Sequence, residues 1–174
     1  MTTSPKQRGD AASFASYFAH RAIAERGFVW GAPDGAQALA DAVDVVVHRW
    51  DARGLKLACM VDREETPERR FSLTREQVTA LALRGLDAGA ARSPARRASI
   101  EVFELGRPPM SEDRARLGAL RRASGAEGVD ITPWILDPST GDLWSGAPLG
   151  GFFVGRRFFQ EVMRGYVAAH RPPA

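Results

Sequence analysis

The fold turns on Val43 to Glu65, VDVVVHRWDARGLKLACMVDREE. Val43 to Trp50 is dense in β-branched residues and Leu55 to Val61 is almost wholly apolar, compositions that suit a pleated, buried surface. Between them Asp51-Ala52-Arg53-Gly54 supplies a short turn ending in glycine, so the spacing predicts a β-hairpin over about 43–62. Strand alternation sends Leu55, Leu57, Cys59 and Val61 to one face, and Lys56, Ala58, Met60 and Asp62 to the other. The first set reads as core. The second is mixed, as expected of a strand partly covered by a helix or forming the floor of a shallow site. A turn of this length also sets Asp44 beside Val61 and Asp62.

On the N-terminal side, Asp10 is a candidate N-cap for a helix in which Phe14, Tyr17, Phe18 and Ala22 recur at helical spacing, with Gly27 as its stop. Phe28-Val29-Trp30 is a short apolar stretch, and Asp34 with Gln37 has capping-box spacing for a short helix through Ala42. Beyond the hairpin, Phe71 and Leu73 suggest a short edge segment. Thr74 with Gln77 is a second capping box, opening a helix whose buried stripe is Val78, Leu81, Ala82 and Leu86.

Ser99 to Leu105 alternates cleanly, with Ile100, Val102 and Glu104 on one face and Glu101, Phe103 and Leu105 on the other. Ser111 caps a helix to about residue 124, with a narrow apolar stripe and with Arg121 and Arg122 at the negative end of its dipole. Val129 to Leu136 reads as a further strand, which Pro133 assigns to an edge or a bulge, and Leu143-Trp144-Ser145 returns antiparallel. A last helix runs from about Arg156 to His170, apolar around roughly half its circumference.

Together these elements predict a single α+β domain over residues 10–170, with a polar tail at 1–9 and a proline-rich tail at 171–174. Its mixed four- to five-stranded sheet has the hairpin at its centre and three to five packed helices. Helices 74–87 and 156–170 lie on the sheet, and helix 111–124 is more peripheral. Strand-helix-strand steps after a hairpin require both parallel and antiparallel neighbours.

A chain of 174 residues is large enough to bury roughly 70 % of the surface it exposes when unfolded, so one core needs no covalent staple. Its apolar and charged fractions, 44 % and 26 %, are those of a globular domain. Lys6 and Lys56 are the only lysines, and this arginine skew, with abundant alanine, glycine and proline, points to a GC-rich bacterium. The net charge is only +3, and Arg alternates with Asp and Glu along most of the chain. That pattern places nucleic acid behind protein as a partner, since nucleic-acid binders gather positive charge on one face. Cys59 is the only cysteine and lies in an apolar strand, which predicts a buried, inert thiol and a reducing compartment. No run approaches the ~20 apolar residues that span a bilayer, so the expectation is a cytoplasmic chain without membrane insertion.

Four groups of residues are candidates for function. The acidic groups Asp44, Asp62 and Glu64, with Lys56 nearby, converge on the far end of the hairpin and could hold Mg²⁺ or Mn²⁺ through hard oxygen ligands. The order helix, hairpin, helix, strand is loosely similar to the core of the PD-(D/E)XK nucleases. That resemblance implies a divalent-metal-dependent nuclease with Asp44, Lys56, Asp62 and Glu64 in the catalytic set. The family's strand-end pattern is acidic, any residue, lysine, whereas Asp62-Arg63-Glu64 has no following lysine and Lys56 precedes Asp62. The implied site is therefore degenerate. His48 is the second group: with His20 and His170 on distant helices and a single cysteine, zinc spacing is absent. In the third, Pro148 to Arg157 sets glycines before a helix but matches neither the P-loop nor the dinucleotide fingerprint.

The fourth is the set of exposed-looking aromatic residues Trp30, Trp144, Phe152 and Phe153, which suits a protein partner or a homodimer. With no complete catalytic set in view, the leading expectation is a non-catalytic protein-interaction or regulatory module without a cofactor. The metal-dependent nuclease is the alternative.

Overall fold

The computed structural model describes residues 13–63, 68–106, 110–123, 127–138, 140–145 and 156–170. Helix α1 (Phe14–Arg26) is followed by β1 (Val29–Trp30), α2 (Ala38–Ala42) and the hairpin strands β2 (Val45–Asp51) and β3 (Gly54–Asp62). Then come α3 (Arg75–Ala88), β4 (Ala98–Leu105), α4 (Ser111–Leu120), β5 (Val129–Asp137), β6 (Asp142–Ser145) and α5 (Arg156–Ala169). The six strands form one open sheet in sequence order. Strands β1, β2 and β3 make an antiparallel meander, β3, β4 and β5 run parallel, and β6 returns antiparallel on β5.

The hairpin forms in the expected register, Val45 opposite Met60 and Asp51 opposite Gly54. Its turn depends on glycine. Gly54 has φ +112°, and a Cβ there would lie 2.1 Å from the Arg97 carbonyl oxygen, which accepts the Leu55 N–H at 2.9 Å. Strand β3 is buried from Gly54 to Val61, the near-continuous burial of a strand with neighbours on both sides and helices on both faces.

Two cores result. On one face Leu55, Leu57, Cys59 and Val61 meet Ile100 and Val102 of β4 and the stripes of α3 and α4. On the other, Ala58, Met60, Phe103 and Trp134 meet Phe14 and Phe18 of α1 and Phe158 and Phe159 of α5. The second face is thus a full core and not a shallow floor: Ala58 and Met60 are completely buried, and Lys56 is 8 % exposed with Nζ 3.1 Å from Ser99 Oγ. Cys59 is buried, and burial pushes its thiol up to about 12, so it stays protonated and unreactive near neutral pH.

The sheet has six strands where four or five were expected, because Val29–Trp30 pairs with Val47 and His48 as well as β6 forming. Phe71 joins no strand and inserts into the α3-side core, 4 % exposed. Strand β5 is interior, yet Pro133 fits it for a local reason. Ile131 exchanges backbone hydrogen bonds with Arg122 on the outer side, and among the described residues β6 pairing begins at Trp134. Pro133 faces the interval between those two contacts, where no N–H is required.

Helix ends also differ in detail. Asp10 lies outside the described residues, and Ser13 caps α1 by accepting the Ser16 N–H at 3.2 Å. The capping box expected from Asp34 and Gln37 does not form; Gln37 is itself the N-cap of α2 and makes no side-chain cap bond. Helix α4 begins at Ser111 and ends at Leu120, so Arg121 and Arg122 lie beyond it, Arg122 bridging to Ile131. The Thr74–Gln77 box does form, with Gln77 N–H to Thr74 Oγ1 at 3.2 Å and Thr74 N–H to Gln77 Oε1 at 2.9 Å. Thr74→Ala should therefore cost about 1 kcal/mol in urea unfolding, and a loss below ~0.3 kcal/mol would remove the cap from the account of α3.

Candidate functional site

The carboxyl ends of β3, β4 and β5 lie level, with Asp62 beside Leu105 and Leu105 beside Leu136. In open sheets with parallel strands, ligands bind outside such ends. Here that end carries a buried lattice of charges. Glu104, fully buried on the α3 and α4 side of β4, is clamped by Arg116 of α4 at 2.7 and 2.6 Å. It also accepts from Arg63 Nη1 at 3.1 Å and from the Phe71 N–H at 2.9 Å. Arg63 is itself only 3 % exposed in its side chain and reaches Asp113 Oδ1 at 3.5 Å.

Asp113 closes the lattice. Its Oδ2 accepts the Met110 N–H at 3.3 Å, while its Oδ1 lies 3.4 Å from Arg116 and 3.7 Å from Arg70. Burial acts to raise its pKa, but the Met110 N–H and the guanidiniums of Arg63, Arg116 and Arg70 together hold the carboxyl below the usual aspartate range. The lattice explains how α4 is held despite burying only Leu117 and Leu120 as apolar anchors. A buried carboxylate without a cation would be costly, and paired in this way it ties α4 and the segment before α3 to the end of β4.

Asp44 and Asp62 come together as their spacing predicts: Asp44 Oδ2 accepts the Asp62 N–H at 2.9 Å. The same oxygen lies 3.1 Å from Arg69 Nε, so that carboxylate is engaged by an arginine. Glu64 lies outside the described residues. Lys56 is not brought to these acids: the intervening extended strand separates it from Asp62 by about 20 Å. Among the described residues no three His, Cys, Asp or Glu side chains form a metal-ligating group.

Trp30 and Trp144 belong to opposite edges and opposite faces. Trp30, on β1, packs half-buried against the α1-side core, with its ring 6.0 Å from His20. Trp144, on β6, packs half-buried against the α3-side core beneath Arg114, whose guanidinium is 5.9 Å from the ring centroid. Phe152 and Phe153, and most of the glycine-rich stretch before α5, lie outside the described residues.

No motif marks Glu104, Asp113 and Arg116 as a set, although one signal lies in the sequence. Glu104 shares a face with Ile100 and Val102, and a carboxylate on a core face demands a cation. No spacing marks a cleft of about 200 Å³ lined by the 31–35 loop, the end of α3, and His48 and Trp50 of β2. His48 Nδ1 donates to the Gly31 carbonyl at 2.7 Å. Compared with protein-family models, with curated proteins and with solved structures, the chain gives no match.

Proposed function

We propose that this chain is a non-catalytic, cytoplasmic interaction or regulatory module whose partner, another protein or a second copy, docks at the β6 edge. The observation that carries the reading is the state of the carboxylates at the strand ends. Asp44, Glu104 and Asp113 are each engaged by arginine and by a backbone N–H, an arrangement that builds structure and leaves those groups poorly placed for acid–base work. Strand β6 supplies the docking surface. Leu143 is 37 % exposed, Trp144 is half-buried on the opposite face, and Met110, 50 % exposed, opens α4, from which Arg114 covers Trp144. A short edge strand with apolar side chains on both faces suits strand addition by a partner.

The juxtaposition of Asp44 with Asp62, and the order helix, meander, helix, parallel strand, support a second reading, a degenerate metal-dependent nuclease-like enzyme using Mg²⁺ or Mn²⁺. One comparison separates the two. Thermal unfolding with and without millimolar Mn²⁺ is expected to give the same midpoint for the wild type and for Asp62→Asn. In parallel, sedimentation or capture should reveal a complex that Leu143→Asp removes. A midpoint that rises with Mn²⁺ only in the wild type would overturn the module in favour of the enzyme, because a ligand of the native state must stabilise it. A complex unaffected by Leu143→Asp would move the partner away from β6.

A further inference from the structure

The cleft at the other edge of the sheet holds three polar groups whose charge or lone pair no described residue answers. His48 is 7 % exposed, and donation from Nδ1 to the Gly31 carbonyl leaves Nε2 as a bare acceptor. No described residue hydrogen-bonds to it. Asp34 and Arg92 stand on the rim, and both act on the imidazole, Asp34 favouring its proton and Arg92 opposing it. Neither forms an ion pair among the described residues, although they carry opposite charges on one small cleft.

The rest of the lining is apolar, with Val29, Ala32, Pro33 and Trp50 among it. Trp50 lies against Gly89 so closely that a Cβ there would sit 2.1 Å from the indole, so the end of α3 must be glycine for the ring to form this wall. Pro33 closes the other side. The volume, about 200 Å³, is that of about seven waters, enough to seat one small molecule. A cleft that presents a cation and an acid together with an apolar surface is complementary to a ligand that carries both charges and an apolar group.

We propose that this cleft binds a small zwitterion, an apolar α-amino acid or a molecule of the same pattern. Its ammonium is received by Asp34 and His48 Nε2, its carboxylate by Arg92, and its side chain by Trp50 and Pro33. Burial lowers the His48 pKa against the pull of the Gly31 hydrogen bond, which keeps the ring neutral and able to accept from an ammonium. The inference is independent of the β6 reading, since the two sites lie at opposite edges of the sheet and either can fail alone.

The test is calorimetry and thermal unfolding with L-valine and L-leucine, against L-valinamide, which lacks the carboxylate, and N-acetyl-L-valine, which lacks the ammonium. At least one of the two amino acids is expected to bind in the millimolar range and raise the midpoint, while both blocked forms fail. Arg92→Gln and Asp34→Asn, exposed substitutions that should leave the ligand-free midpoint unchanged, are expected to weaken binding about tenfold or more, the loss of one charge-assisted contact. The proposal is overturned if neither amino acid binds at high-millimolar concentration, if a blocked form binds as well as its parent, or if both variants bind as the wild type does.

Discussion

Glu104→Gln lowers the stability of the protein by about 3–5 kcal/mol, the cost of removing one partner from a buried ion pair. The substitution keeps the side chain's shape and deletes only its charge. Arg63 and Arg116 then face an amide where a carboxylate stood, and Arg63 has almost no solvent to turn to, at 3 % exposure. In a domain of this size the loss lowers the thermal midpoint on the order of 10 °C, and urea unfolding reads it directly. A change below ~1 kcal/mol would mean that the lattice is not what holds α4.

Acid probes the same lattice from Asp113. Its folded-state pKa is depressed, so its contribution to stability is fully present above the ordinary aspartate value of about 3.9 and is lost as pH falls through the lower, folded value. Stability should therefore fall below about pH 4, and fall less steeply in Asp113→Asn, which has no such proton to take up.

Phe103→Ala should cost as much, about 3–5 kcal/mol, for an unrelated reason. Phe103 is completely buried in β4 and stacks on Phe159 at 5.5 Å and on Trp134 at 6.3 Å, with Phe18 at 6.2 Å. One ring thus joins α1, α5 and two strands, and of its neighbours only Met60, opposite it on β3, is pliant; the rings of Phe18, Trp134 and Phe159 are not. Guanidinium unfolding of Phe103→Ala beside Val29→Ala, which truncates a residue 51 % exposed, gives the contrast: a difference under ~1 kcal/mol would mean that the α1 and α5 side collapses around the cavity.

The hairpin, its register and the Thr74–Gln77 cap were legible because each rests on residues close in sequence. The alternation of β4 was legible too, down to Glu104 on the core face. What local pattern leaves undecided is what covers a face. Ala58 and Met60 are small or pliant enough to suit a mixed surface as well as a core, and only the arrival of α1 and α5, from opposite ends of the chain, decides between them. Pro133 marked an edge that exists for one residue, because the outer partner of β5 changes there from Arg122 to β6. The lattice and the cleft were illegible for the same reason. Arg63, Glu104 and Arg116 lie far apart in sequence, as do Asp34, His48 and Arg92, and no spacing connects them.

The pairing of the first helix with the last has a consequence for the chain as it leaves the ribosome. Phe14 and Phe18 of α1 are translated about 140 residues before Phe158, Phe159 and Val162, which complete their cover. Synthesis proceeds at roughly 5–20 residues per second, so the aromatic face of α1 waits on the order of 10 s with part of its cover missing. The opposite face, closed by α2, α3 and α4 in the order they are translated, has no such interval. Vectorial synthesis thus builds this domain from one side, and the nascent chain is most open to misassociation on the side that α5 finally seals.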